Sequence, residues 1–215
     1  MGSDRSIQRK DSCEVEETGA YFLKAPGVVV WFTGLPGSGK STVARLVARK
    51  ATSPPILISM DSIRKKIFPN PTYSDRERDA AYRSFALIAS YLSKAGVPVI
   101  LDGTGHKVVW RKFARKECPK FVEVYLKCPI EICIERESKR TNNNLVRQKL
   151  YATALARLKK GKRIQGLGKM PGVDERYEES SNAEIILDSS LEKPKILAEK
   201  AIEELAEYAP SMFSI

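Results

Sequence analysis

Short apolar runs alternate with longer amphipathic stretches along the chain. The apolar runs predict five β-strands, at residues 27–33, 56–60, 97–102, 121–127 and 184–187. Apolar residues at helical spacing predict six α-helices, at residues 40–50, 75–95, 108–117, 129–137, 144–160 and 194–208. Strands that alternate with helices are typical of an α/β fold. We therefore predict three layers, with a five-stranded parallel sheet flanked by helices.

The length of the chain suits one domain. A chain of 215 residues can bury a sizeable core, and we predict a single domain over residues 21–215. Residues 1–20 are polar and lack periodicity, so we expect a flexible leader there. No apolar run is long enough to cross a bilayer, and no secretory signal is visible. We expect a cytoplasmic protein without a membrane partner.

The cysteines do not follow a metal-binding pattern. Cys13, Cys118, Cys128 and Cys133 show no paired CxxC spacing, and His106 is the single histidine of the chain. Zinc sites usually combine closely spaced cysteines with one another or with histidines. We therefore expect reduced, partly buried thiols rather than a zinc site.

The charge of the chain predicts an anionic partner. The formal net charge is +11, which favours a nucleotide, a phosphorylated metabolite or nucleic acid. Residues 138–173 contain no acidic residue but ten basic ones, namely Lys139, Arg140, Arg147, Lys149, Arg157, Lys159, Lys160, Lys162, Arg163 and Lys169. We interpret residues 138–178, approximately, as a basic lid that closes over phosphates. The alternative is a solvated helix face.

A glycine-rich loop separates the first predicted strand from the first helix. Residues 34–41, GLPGSGKS, fit the P-loop pattern GxxxxGK[ST] in the strand-to-helix context that gives this pattern its meaning. Its backbone N–H groups and the helix dipole would attract phosphate oxygens. Lys40 would contact the β and γ phosphates, and the Ser41 hydroxyl would bind Mg²⁺. The predicted ATP site comprises Gly34, Leu35, Pro36, Gly37, Ser38, Gly39, Lys40, Ser41 and Thr42.

Two acidic residues lie at the carboxyl ends of the second and third predicted strands. Asp61, with Arg64 after it, follows the second strand, and Asp102 ends the third. Ligands bind at this carboxyl edge in parallel sheets. Asp61 could order Mg²⁺ or accept a proton from an attacking hydroxyl, and it could also cap a helix. Asp102 is a second candidate for metal or acceptor contact. With no NKxD-like segment and no room for a second module, these features favour a small kinase.

Several segments resemble the adenylylsulfate kinase family, over roughly residues 28–189. The carrying segments are FVEVYL at 121–126, PIEICIER at 129–136, LYATAL at 150–155, PGVDERYE at 171–178 and NAEIILD at 182–188. Asp61 and Arg64 fall where that family carries Asp-x-x-Arg. Tyr73 and the helix that follows it line up with the family's substrate helix without a gap.

The resemblance implies a P-loop kinase that transfers the γ-phosphate of ATP to the 3′-hydroxyl of adenylylsulfate, with Mg²⁺. Lys40, Asp61 and Arg64 would be catalytic, and Ser41 and Asp61 would hold the metal. Arg136 would brace the lid or contact the nucleotide phosphates. The implied acceptor site comprises Asp61, Arg64, Arg78, Arg83, Asp102 and Lys169. The expected partner is a small nucleotide-like anion, and the sequence leaves room for a homodimer.

The chain departs from the family on the acceptor side. Ala81 stands where the family has asparagine, and Gly105–Val108 replaces a Ser-Pro-Tyr-Arg stretch. Met170 stands in the place of a lid phenylalanine that stacks on the acceptor adenine, and a thioether cannot stack in that way. The acceptor therefore stays open between adenylylsulfate and another small hydroxyl metabolite.

Two further alternatives use other features of the sequence. The segment LDGT at 101–104, with Trp110 and Arg111 after it, also resembles polynucleotide 5′-kinases, and the basic excess would hold a phosphate backbone. A nucleotide-binding module without catalysis is the other alternative. His106 could be a general base, although we favour a loop residue that hydrogen-bonds the backbone.

Overall fold

The structure, a computed structural model, describes residues 25–139, 150–160 and 168–213. Its sheet contains five strands in the order β2-β3-β1-β4-β5, and every pair of neighbours is parallel. The strands are β1 (Val29–Thr33), β2 (Ile56–Ser59), β3 (Val99–Asp102), β4 (Phe121–Lys127) and β5 (Ile185–Asp188). The predicted five-stranded parallel sheet is confirmed.

Seven helices are present in the described residues, one more than the sequence predicts. They are α1 (Lys40–Lys50), α2 (Met60–Ile67), α3 (Asp75–Lys94), α4 (Val108–Glu117), α5 (Ile130–Ser138), α6 (Leu150–Lys160) and α7 (Pro194–Tyr208). The unpredicted helix is α2. Met60 begins it and does not extend the second strand, and Ser59 occupies the cap position. Asp61 therefore lies inside the first turn, where its negative charge interacts favourably with the helix dipole.

The central strands of the sheet are buried on both faces, which makes three layers. Val30 and Phe32 of β1 pack against α1 and α7 on one face. Val29 and Trp31 pack against α3 and α4 on the other. Strands buried on both faces read as continuous apolar runs, which is why residues 27–33 are apolar without alternation. A third apolar cluster joins α5 to α6.

The register of the sheet brings three chain segments to one edge. Asp102 pairs with Phe32 of β1 on one side and with Ser59 of β2 on the other. The glycine-rich loop, the start of α2 and the end of β3 therefore meet at the carboxyl edge, where parallel sheets bind ligands.

Some predictions fall on residues outside the described ranges. They concern the leader at 1–20, the start of the predicted helix at 144, and the basic residues Arg140, Arg147, Lys149, Lys162 and Arg163. Within the described ranges, no helix has the length and apolar content needed to cross a bilayer.

Candidate active site

A cleft of about 650 Å³ runs along the carboxyl edge of the sheet. Its P-loop end is formed by Pro36, Gly37, Gly39, Lys40, Ser41 and Thr42. Its other end, here called the arginine end, is formed by Asp61, Arg64, Tyr73, Arg78, Tyr82, Thr104, His106, Lys169 and Met170. Asp102 lies among the residues that line the cleft. The structure thus joins most of the predicted site residues in one space.

The P-loop needs glycine at its crest. Gly37 has a φ of 90°, and a Cβ added there would lie 2.4 Å from the carbonyl oxygen of Cys133. Both the left-handed backbone and this close approach exclude larger residues. The loop then leads directly into α1, so that the N-terminal N–H groups of the helix lie at the cleft. Lys40 Nζ lies 3.4 Å from the Leu35 carbonyl oxygen, to which it donates.

Ser41 and Asp102 lie together at the P-loop end. The Ser41 hydroxyl donates to Asp102 Oδ1 at 3.0 Å. Burial raises the pKa of Asp102, while Lys40 and the Ser41 hydroxyl act to lower it. Asp61 faces the same space from α2 and also raises this pKa through its charge. The carboxylate that contacts Ser41 is Asp102. The metal-ligand assignment of Ser41 and Asp61, with Asp102 as a second candidate, stays a prediction.

These oxygen groups fit Mg²⁺. This ion prefers hard oxygen ligands and is usually held by one or two carboxylates together with substrate phosphates. A hydroxyl with one carboxylate beside it and a second across the cleft is such a donor set. Across the described residues, no three or more His, Cys, Asp or Glu side chains form a ready metal cage. The site therefore suits a cation that arrives with a nucleotide.

Arg64 is held in place by Glu77, which the sequence reasoning missed. Arg64 Nη1 donates to Glu77 Oε1 at 2.7 Å, and both side chains are buried. The second oxygen of Glu77 accepts hydrogen bonds from the Thr72 hydroxyl at 2.8 Å and from the Tyr73 N–H at 2.9 Å. Although burial alone would raise the pKa of Glu77, its bonds to Thr72, Tyr73 and Arg64 lower it. Glu77 thus fixes both Arg64 and the Tyr73 segment.

Arg78 is buried and is anchored by neutral groups. Its Nε donates to the Tyr73 carbonyl at 3.1 Å, and its Nη2 donates to the Lys169 carbonyl. Its Nη1 lies 3.4 Å from His106 Nε2. Among the described residues, no carboxylate forms an ion pair with Arg78. Burial lowers the pKa of this guanidinium, and its positive charge remains available to an anion in the cleft.

His106 lies in the loop after β3 and is buried, with 1% of its surface exposed. Its ring meets Trp110 edge to face at 4.9 Å, and its carbonyl accepts the N–H of Glu178 at 2.8 Å. Burial and the charge of Arg78 lower the pKa of His106 to about 3. These contacts favour the loop role over the general base, because an imidazole of so low a pKa is a weak base.

Arg83 and Arg136 lie outside the residues that line the cleft, so the acceptor contact of Arg83, and the phosphate contact or lid-bracing role of Arg136, stay predictions. Arg83 pairs with Asp79 at 2.8 Å and lies over the Phe113 ring. Five residues along a helix correspond to a rotation of about 140°, so Arg83 cannot share the face of Arg78. Arg136 donates to the Ser189 carbonyl at 2.8 Å and therefore braces the end of β5.

Parts of the predicted lid reach the cleft. The Tyr151 hydroxyl of α6 donates to the Pro36 carbonyl at 2.7 Å, which attaches α6 to the P-loop. Arg157 lines the cleft, donates to the Gly168 carbonyl at 3.2 Å and pairs with Asp174. Met170 is buried against α6 and also lines the cleft. The predicted bounds of the lid, 138–178, remain a prediction.

The fold and the loop define a P-loop phosphotransferase. The family model of adenylylsulphate kinase matches residues 26–188. A probable adenylyl-sulfate kinase of Archaeoglobus fulgidus is 35% identical over 164 residues, covering 75% of this chain and 95% of that protein. The chain belongs to the adenylylsulfate kinase family, and it is a kinase with a hydroxyl acceptor.

Solved structures agree with this assignment. The APS kinase of Mycobacterium tuberculosis in complex with AMPPNP and APS has a TM-score of 0.69 and 27% identity, covering 85% of this chain and 99% of that one. A sugar kinase from a Janibacter species has a TM-score of 0.63 and 25% identity, covering 86% and 98%. The same architecture therefore occurs in kinases named for different acceptors.

Proposed function

We propose that the protein transfers the γ-phosphate of ATP to the 3′-hydroxyl of adenylylsulfate. The observation that carries this proposal is the continuous cleft, which joins an intact P-loop to two buried arginines. Adenylylsulfate carries a phosphosulfate anion, so a site for it needs cationic groups opposite the phosphate donor. The Archaeoglobus relative and the tuberculosis complex with an ATP analogue and APS support the same substrates.

The P-loop end would hold the triphosphate. The backbone N–H groups of the loop and of the first turn of α1 present partial positive charge to phosphate oxygens. Lys40 adds a full charge at the terminal phosphates. Such fixed charges stabilise the charge that spreads over the phosphoryl group in the transition state. Positioning and electrostatics supply most of the catalysis in this reaction class.

Ser41, Asp102 and Asp61 would hold Mg²⁺ from the protein side. When bound, the ion neutralises charge on the β and γ phosphates. Ser41 and Asp102 are already hydrogen-bonded to each other, so their oxygens are oriented before the nucleotide arrives. Asp61 faces the arginine end as well, and we propose that it accepts the proton of the attacking hydroxyl.

The arginine end would bind and orient the acceptor. Arg78 carries no ion-pair partner among the described residues, while Arg64 shares its charge with Glu77. For this reason we expect a bound phosphosulfate group to interact more strongly with Arg78 than with Arg64. Both arginines are buried, and charge-assisted hydrogen bonds are strong. Holding the hydroxyl close to the γ-phosphate accounts for a large part of the rate gain.

A second acceptor class is favoured by one specific observation. Met170 occupies the position at which the family resemblance places a stacking phenylalanine, and it is buried against α6. A site without that ring suits a small hydroxyl metabolite that carries no purine. A Janibacter protein of the same architecture is named a sugar kinase, which supports this alternative.

The test is a transfer assay with labelled ATP and separate acceptors, namely adenylylsulfate, sugars and a 5′-hydroxyl oligonucleotide. We expect brisk Mg²⁺-dependent transfer to adenylylsulfate, with little effect of salt on the KM of the acceptor. A steep salt dependence with the oligonucleotide would instead indicate many phosphate contacts. Brisk transfer to a sugar, and none to adenylylsulfate, would overturn the leading proposal. Lys40→Ala serves as the control with impaired phosphoryl transfer, and Tyr91→Ser, on an exposed position of α3, as the neutral one.

We also propose a cytoplasmic site of action, because Cys118, Cys128 and Cys133 are buried free thiols, a state typical of reducing compartments. The homodimer stays a prediction. Its measurement is the molar mass in solution with and without ATP.

A further inference from the structure

We propose that His106 is a positioning residue for Arg78. The imidazole accepts a hydrogen bond from the guanidinium and so fixes the direction from which this charge meets the anionic group of the acceptor. The proposal rests on the proposed function only in taking the acceptor to be an anion. It concerns a contact between two side chains of the protein, which can be measured without any acceptor.

Arg78 is fixed by three acceptors from three separate segments. They are the Tyr73 carbonyl before α3, the Lys169 carbonyl and the His106 imidazole after β3. Two of these are backbone groups, whose positions depend on their loops. His106 is the one side chain of the three: its buried ring meets Trp110 edge to face, and its backbone carbonyl accepts the N–H of Glu178. The imidazole is therefore held both by the packing of its ring and by the anchoring of its own backbone.

Only a neutral imidazole can perform this role. A guanidinium has five donors and no acceptor, so His106 Nε2 must present a lone pair, with the proton on Nδ1. A protonated ring would oppose Arg78 with a second positive charge.

The charged surroundings keep His106 neutral. Arg78 and Asp75 face the His106 ring from α3. Arg111 faces it from α4, and Lys107 is the residue that precedes α4. Three of these four charges are positive. Burial and the three positive charges lower the pKa of His106 to about 3, while Asp75 acts to raise it, so that the ring is uncharged throughout the range in which the enzyme would work.

Acceptor kinetics separate this role from general-base catalysis. We expect His106→Leu to raise the KM of the acceptor about tenfold, the usual effect of losing one charge-assisted hydrogen bond, with the KM of ATP unchanged. His106→Gln keeps an acceptor atom and should restore most of the loss. Val109→Ala, at an exposed position nearby, is the control. A fall in kcat with the acceptor KM unchanged, or no change in either constant, would overturn the proposal.

Nuclear magnetic resonance tests the contact without any acceptor. Because the chain has a single histidine, ¹⁵N-histidine labelling gives one assigned ring. We expect no titration between pH 5 and 8 in the wild type. In Arg78→Met, we expect the Nε2 shift to change and the pKa to rise. The proposal would be refuted by a wild-type ring that titrates near pH 6.5, or by an Nε2 chemical shift and a pKa that do not change in Arg78→Met.

The two proposals fail separately. If adenylylsulfate is not phosphorylated but the ring responds to Arg78→Met, the proposed function falls and the His106–Arg78 contact stands. The kinetic test then uses whichever acceptor the panel identifies. If adenylylsulfate is phosphorylated equally well by the wild type and His106→Leu, the positioning role falls alone.

Discussion

The ion pair between Arg64 and Glu77 offers a quantitative test of how the arginine end is built. Replacing Glu77 by Ala removes the carboxylate that accepts from Arg64, from the Thr72 hydroxyl and from the Tyr73 N–H. The two charged side chains are each only 7% exposed. Solvent therefore cannot replace the lost partner of Arg64, and an uncompensated charge stays buried.

The structure sets the expected magnitude. Removing one member of a buried ion pair typically costs about 3–5 kcal/mol, because the remaining charge has lost its counter-charge. The bonds to Thr72 and Tyr73 are partly buried and can be replaced by water in part. We therefore expect Glu77→Ala to lower the free energy of unfolding by about 3–5 kcal/mol. Glu199→Ala, which breaks an exposed pair with Lys50, should cost below about 1 kcal/mol.

Urea unfolding at pH 7 measures both effects, and a double variant isolates the pair. Arg64→Met added to Glu77→Ala removes the orphaned charge and keeps much of the side-chain volume. We expect the double variant to unfold at a higher urea concentration than Glu77→Ala alone, since the buried charge is then gone. Equal midpoints for the single and the double variant would refute the idea that the uncompensated arginine dominates the loss. So would a cost for Glu77→Ala no greater than that for Glu199→Ala.

Three further predictions follow from other contacts. His106 binds a proton near pH 6.5 when unfolded but only near about 3 when folded, so its contribution to stability is lost as pH falls below 6.5. Between pH 7 and pH 5 the free energy of unfolding should therefore fall by about 2 kcal/mol. Urea unfolding of His106→Gln should lack this loss, and an equal pH dependence of stability in the wild type and the variant would contradict the burial of His106. Gly37→Ala should weaken ATP binding measured by calorimetry, because its Cβ meets the Cys133 carbonyl; unchanged affinity would contradict the crest geometry. Lys40→Ala should lower kcat about 10²–10³-fold through lost phosphate electrostatics, and a full rate would remove Lys40 from catalysis.

Local patterns in the sequence predicted most of the fold. The sheet is confirmed, and helices α1, α4 and α7 have the predicted bounds. Their apolar positions repeat at the helical spacing within one element, so each helix can be predicted from its own residues alone. Helix α2 was missed because its residues 64–66 are all basic and because its first residue, Met60, is apolar and follows β2 directly. Tertiary position, rather than periodicity, determines where β2 ends and α2 begins.

The site was predictable where one segment forms it. The P-loop is contiguous, so its residues could be named from the sequence. The arginine end depends on contacts between distant residues: His106 lies 28 positions from Arg78, and Lys169 lies 91 from it. Patterns within one segment cannot reveal contacts between residues so far apart in the sequence. Arg83 was assigned to the same face as Arg78 through the family resemblance, although the turn of the helix separates them.

The arginine end is assembled from α2, the start of α3, the loop after β3 and the segment at Lys169 and Met170. If the arginine end binds the acceptor as proposed, the choice of acceptor is distributed, in evolutionary terms, over stretches of chain that can change one at a time. The proposed donor site is built largely from one uninterrupted segment, the P-loop, in which Gly37 tolerates no larger residue. A lineage could therefore acquire a new acceptor by successive replacements in these stretches while it kept the same donor throughout.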